Sequence, residues 1–155
     1  MKVAGKDIIY VAIQILLFLT FLLDVNLFSF ESPSFLEFIL VLIGIVGLLL
    51  IIIAFFQLNK NLSPFPTPKE YSSLLTNGVF KLIRHPIYTG ILLIFFAIAV
   101  FQGSGYRLLI SFLLLILFHF KTLYEEKKLS EKFPEYEIYK KNTGRLLPKI
   151  KNRYS

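Results

Sequence analysis

Two short clusters hold most of the side chains here that could do chemistry. The first is Arg84-His85 with Tyr88 close behind, and the second is Glu125-Glu126 preceded by His119, Lys121, Thr122 and Tyr124. Adjacent carboxylates can hold a cation, an arginine can hold an anion, and a histidine can move a proton near neutral pH. Cysteine is absent, which excludes disulfides, thiol nucleophiles, iron–sulfur clusters and Cys-ligated zinc. No Gly-x-Gly-x-x-Gly run opens a strand–turn–helix unit.

Each of these residues also has an ordinary use. Arg84 suits a topology anchor, His85 a helix N-cap, Tyr88 an interfacial belt and Gly90 a close-packing position. On a continuous helix His119, Thr122 and Glu126 share one face through i, i+3 and i+7 spacing, with Lys121 and Glu125 neighbours on another. A solvated helix laced by Glu125 and Glu126 with Lys128 and Lys132 would account for the second cluster.

The elements that must position the clusters decide between these readings. Of 155 residues 55% are hydrophobic and 16% aromatic, a balance outside that of a soluble domain. Residues 38–56 carry no polar side chain, and that run at about 1.5 Å per residue covers a hydrocarbon core of roughly 30 Å. An all-α integral membrane fold with four spans, about 8–26, 36–58, 86–102 and 107–124, is expected in a single domain over 1–155. The first span has no cleavage site after it and is expected to stay attached. The third opens at Pro86 and ends in the polar turn Gln102-Gly103-Ser104-Gly105, which makes a helical hairpin with the fourth. The uncharged core of the fourth, 108–120, is short for a span unless Arg107 and Lys121 snorkel.

The net charge of +7 belongs to topology and anionic headgroups here rather than to nucleic acid. Every lysine and arginine except Arg107 falls on one side of the four-span arrangement, so both termini are expected in the cytoplasm of a multi-pass cell (inner) membrane protein. On that side, residues 57–85 begin extended through Pro64, Pro66 and Pro68. A short helix should follow, with Thr67 as N-cap, Pro68 at N1, Glu70 at N3 and Asn77-Gly78 as its left-handed stop. A polar, cytoplasmic C-terminal helix is expected through about Asn142, with a loose tail beyond. The hairpin returns Arg84-His85 and Glu125-Glu126 to one interface, and opposite charges meeting there suggest a site.

The order of these residues resembles that of a known family. Leu74 through Gly90 reads Leu-x-Thr-x-Gly-x-aromatic-x-x-x-Arg-His-Pro-x-Tyr-x-Gly; Glu125-Glu126-Lys127-Lys128-Leu129 follows about 35 residues later, then Phe133 through Tyr139 and Arg145 through Pro148. The pattern, over about 72–150, is similar to the isoprenylcysteine carboxyl methyltransferase and phospholipid methyltransferase superfamily. The resemblance implies an S-adenosylmethionine pocket built by the membrane helices. By family pattern Leu74, Leu75, Phe80, His85, Pro86, Ile87, Tyr88 and Glu125 would bind the cofactor. Arg84, His85 and Glu126 would be catalytic, and Lys121 would contact the acceptor. A carboxylate partner suits the cofactor's ammonium and sulfonium. Pro134 stands where relatives commonly have glycine.

The expected function is methyl transfer to a lipid-like or prenylated acceptor, with membrane lipids the other partners and the oligomeric state left open. A carboxylate acceptor, ionised at neutral pH, needs no general base; an amine acceptor needs one, supplied by His85 or a glutamate. The alternatives are a membrane reductase of the sterol-reductase type using NADPH, and a non-catalytic protein whose basic face binds anionic lipid or a partner.

Overall fold

The structure is a computed structural model that describes residues 4–23, 25–26, 28–61 and 63–149, and it is all-α. Five α-helices occur among the described residues: α1 Gly5–Phe21, α2 Ser34–Leu58, α3 Pro86–Phe101, α4 Gly105–Lys132 and α5 Tyr136–Asn142. Two of them, α2 with 25 residues and α4 with 28, are long and apolar enough to cross a membrane; α1 has 17 residues and α3 has 16. Their outer faces are dominated by apolar side chains, with Phe38 71% and Phe56 74% exposed on α2, a surface that water does not tolerate and lipid does.

Several boundaries differ from expectation. The first helix ends at Phe21, and the expected extension to residue 26 includes Asp24 outside the described residues. The fourth runs on past its span to Lys132, as the polar helical pattern after Lys121 suggests, but it does not continue unbroken to Asn142, because Pro134 interrupts it before α5. No helix forms after Pro68. The Lys132 ammonium takes the carbonyls of Lys69 and Glu70 and the Ser72 hydroxyl instead, and the Thr67 hydroxyl caps nothing. Gly78 is left-handed as expected (φ +56°), but it opens a 3₁₀ turn, Gly78–Lys81, rather than closing a helix.

The helices pack in the order α2, α3, α4, α1, and α1 forms no extended interface with α2. The core between α3 and α4 is Leu92, Leu114, Leu117 and Phe118, against which Tyr10, Leu17 and Phe18 of α1 are laid. At the hairpin end, Gly103 (φ +59°) turns the chain and Ser104 caps α4 by accepting from Arg107 N. The 28–30 segment pairs with this turn: Phe30 N donates to Gly103 O (2.9 Å) and Gly105 N to Phe28 O (3.0 Å).

The tightest crossing is α2 on α3. A Cβ on Gly90 would stand 2.5 Å from Gly47 O and 2.6 Å from Ile51 Cγ1, so only hydrogen fits where the two backbones meet. Gly90→Leu should therefore cost about 1–3 kcal/mol or more through overpacking, read as a lower thermal midpoint in detergent. Gly44→Ala, at a glycine with nothing within 4 Å, should leave the midpoint unchanged.

Candidate active site

Arg84 and His85 lie in the bend between the Gly78–Lys81 turn and α3, where Pro86 takes the first helical position. His85 occupies the N-cap, yet its ring makes no cap bond. It turns instead to Glu126 on α4, with Nε2 3.2 Å from Oε1. Arg84 reaches the same oxygen from Nε at 2.9 Å and from Nη2 at 2.8 Å. The side chains of Arg84, His85 and Glu126 are 7%, 4% and 2% exposed, so this carboxylate is compensated by buried partners, not by water.

The chain after α5 completes the knot. Arg84 N donates to Gly144 O (2.9 Å) and His85 N to Arg145 O (3.1 Å), while Arg84 Nη1 donates to the carbonyls of Lys140 (3.0 Å) and Thr143. Thr89 Oγ1 donates to Leu146 O at 2.7 Å, and Tyr139 OH to Phe80 O at 2.5 Å. Arg145 Nε stands 3.8 Å from Glu126 Oε1. Most of the Arg84 guanidinium is thereby committed to protein atoms.

In front of this knot lies a cavity of about 400 Å³. Glu125 reaches it while Glu126 lies behind the wall; Glu125 is 24% exposed and accepts from Tyr88 OH at 3.1 Å. The Tyr88 ring is flanked by Phe118 (4.6 Å, 22°) and His85 (5.6 Å, 13°). Leu74, Leu75, Phe80 and Phe133 form an apolar flank, and Ile51, Phe55 and Ile91 line the end that extends into the membrane helices. Lys121, 1% exposed, also lines it, with Nζ donating to Gln14 Oε1 (2.6 Å) and Pro64 O (3.1 Å). The segment 63–73 covers the cavity, held by Lys132 and by the Asn61–Ser73 pair.

These residues fit S-adenosylmethionine. The volume is in the range of small-molecule sites, about 300–1,000 Å³, and a carboxylate faces it with an apolar flank alongside. Tyr136 lines the cavity with a buried hydroxyl that has no partner, a donor for a ligand to use. Burial raises the pKa of Tyr136 and pushes that of Tyr139 up to about 12, so both hydroxyls keep their protons at neutral pH.

Every residue expected at the cofactor and acceptor sites lines this cavity: Leu74, Leu75, Phe80, His85, Pro86, Ile87, Tyr88, Glu125 and Lys121. Arg84 lines it as well, with its guanidinium turned to Glu126. His119 is exposed and takes no part, a departure from the shared face expected with Thr122 and Glu126. Neither glutamate pairs with Lys128 or Lys132: Lys128 meets Glu131 (3.1 Å), and Lys132 holds the 69–72 segment. Gln14, Pro64 and Tyr136 were not anticipated. Gln14 had a signal, being an amide in an otherwise apolar stretch, and Tyr136 stood in the quoted aromatic motif.

The family model described as phospholipid methyltransferase matches residues 35–136, from the start of α2 to the first residue of α5. No curated protein matches the chain. The division between the glutamates predicts unequal stability effects. Glu126→Gln strands Arg84 in a buried pocket and should cost about 3–5 kcal/mol, whereas Glu125→Gln loses one partly exposed hydrogen bond and should cost about 1 kcal/mol. Thermal unfolding of the two variants in one detergent compares them; equal losses would contradict the division.

Proposed function

The chain belongs to the phospholipid methyltransferase family and is an S-adenosylmethionine-dependent methyltransferase of the membrane, and we propose that it methylates the headgroup amine of a phospholipid at the cytoplasmic face. Family membership sets aside the reductase and non-catalytic readings. The observation that carries the proposal is the asymmetry of the adjacent glutamates: Glu126 is locked behind the wall by Arg84 and His85, while Glu125 is presented to the cavity.

When bound, S-adenosylmethionine supplies a methyl group on a sulfonium as the electrophile. Glu125 holds cationic charge at the polar end of the cavity, and Leu74, Leu75 and Phe80 give a planar apolar group its flank. A protonated amine must lose its proton before its lone pair can attack. With Nε2–H donating to Glu126, the His85 Nδ1 is left as an acceptor, 3.8 Å from Glu125 Oε2, and it takes that proton. Glu126 thus fixes the tautomer and steadies the imidazolium, and Arg84 fixes Glu126. A carboxylate acceptor would leave this relay without a task. Holding the amine against the donor does the rest of the catalysis.

Four crossings with both termini in the cytoplasm complete the reading. The pairing of Phe28 and Phe30 with Gly103 and Gly105 supports it, because it sets the α1–α2 and α3–α4 connections at one level, opposite the basic residues.

Three outcomes are expected. The purified protein should bind S-adenosylhomocysteine by calorimetry, and Glu125→Gln should weaken that binding about tenfold or more, the worth of a charge-assisted contact. His85→Asn should retain binding while turnover of an amine lipid falls about 10²- to 10⁴-fold, the usual contribution of a general base. The chain has no cysteine, so a single Gln102→Cys should be labelled in intact cells and a single Asn142→Cys only after lysis; the reverse pattern would invert the topology.

A further inference from the structure

Lys121 poses an electrostatic problem that the fold alone does not solve. Its side chain is buried, yet no carboxylate lies within ion-pair distance of Nζ among the described residues. The groups in direct contact with the ammonium are neutral, the Gln14 amide oxygen, the Pro64 carbonyl and the Tyr88 ring, whose centroid is 5.1 Å away, while Glu125 and Asp7 act on it only from beyond ion-pair distance. A buried cation so held is costly unless an anion joins it. Two of its three N–H bonds are committed, which leaves one to reach into the cavity it lines. A sulfonium would be repelled from this spot and an oxyanion attracted.

Position along α4 says which oxyanion. Lys121 stands one turn before Glu125, about 6 Å along the axis, and on the side toward the hairpin end that lies deeper in the membrane. Moving outward from the bilayer, the cavity therefore offers apolar Ile51 and Ile91, then a cation, then the His85 ring that takes the amine's proton. An aminophospholipid headgroup has the complementary order, chains, then phosphate, then amine, with two carbons between the last two.

We propose that Gln14 is a positioning residue that holds the Lys121 ammonium to receive the acceptor's phosphate, so that α1, which lies outside the family-matched residues, selects acceptors carrying an oxyanion. The proposal deepens the phospholipid reading and rests on it. Gln14 is the α1 side chain in the cavity wall, and its 2.6 Å bond fixes an otherwise flexible ammonium on one side while Pro64 fixes it on the other.

The test compares two single-chain amphiphiles with the same alkyl chain and primary amine, lysophosphatidylethanolamine and a phosphate-free alkylamine, in binding and in methyl transfer by the full-length protein. Wild type should bind the phosphate-bearing lipid at least tenfold tighter. Gln14→Leu should raise its Kd and KM about tenfold with kcat little changed, and should leave S-adenosylhomocysteine affinity and alkylamine binding unchanged. Gln14→Glu, which pairs Lys121 and repels phosphate, should lose more on the phosphate lipid and nothing on the alkylamine. Gln14→Asn should recover part of the loss. Equal wild-type binding of the two amphiphiles, or equal losses on both in the Gln14 variants, overturns the proposal. Wild type that binds S-adenosylhomocysteine and prefers the phosphate lipid but methylates neither amphiphile overturns the amine reading alone, with the phosphate site upheld by binding.

Discussion

A single buried carboxylate organises this molecule. Glu126 sits 2% exposed on a membrane helix, and a charge there persists only with partners that have also left water. The buried partners are Arg84 and His85 before α3, and two cations that are more exposed add to them, Lys140 at 4.0 Å on α5 and Arg145 beyond it. Compensating this one charge through its Oε1 draws the bend before α3, the end of α4 and the C-terminal tail to one place, while Oε2 makes no hydrogen bond among the described residues. The backbone bonds from Arg84 and His85 to Gly144 and Arg145 follow from that convergence. The residues that close the fold here also form one wall of the cavity, so His85 is held as firmly as the fold itself.

This explains how a nucleotide-derived cofactor is accommodated without a sheet or a glycine-rich loop. The α/β solution gathers backbone N–H groups at a helix N-terminus. Here the cavity instead presents side chains, a carboxylate from α4, apolar residues from the 74–80 stretch and a phenol from α5. The apolar helices continue past this polar site, so one cavity joins a polar mouth to a lining of helix side chains such as Ile51 and Ile91.

How much of this was legible in the sequence depended on the physics of each element. The long uncharged run in α2 and the Pro86 start of α3 were readable, because length in a bilayer and the geometry of proline are local constraints. The convergence of Arg84-His85 with Glu125-Glu126 was readable because a short turn forces a hairpin. The different fates of the glutamates were not, since adjacent positions on a helix point about 100° apart and only the packed neighbours say which way is inward. The capping box at Thr67 failed for a related reason: its local preference for helix lost to a lysine, Lys132, far along the chain. His119 fell outside the site although its spacing placed it on the Glu126 face, because the buried sector of α4 at that level is narrower than a spacing rule assumes.

The pairing of the 28–30 segment with the α3–α4 turn has a mechanical consequence. It ties the α3–α4 turn to the stretch between α1 and α2, while α1 and α2, at opposite ends of the packing order, share no extended interface. Away from that tie the cavity is bounded by Gln14 of α1 and Phe55 of α2, two helices that do not brace one another directly. The bundle is thus closed at one end by backbone hydrogen bonds and left with a seam between its first two helices along the rest of its length.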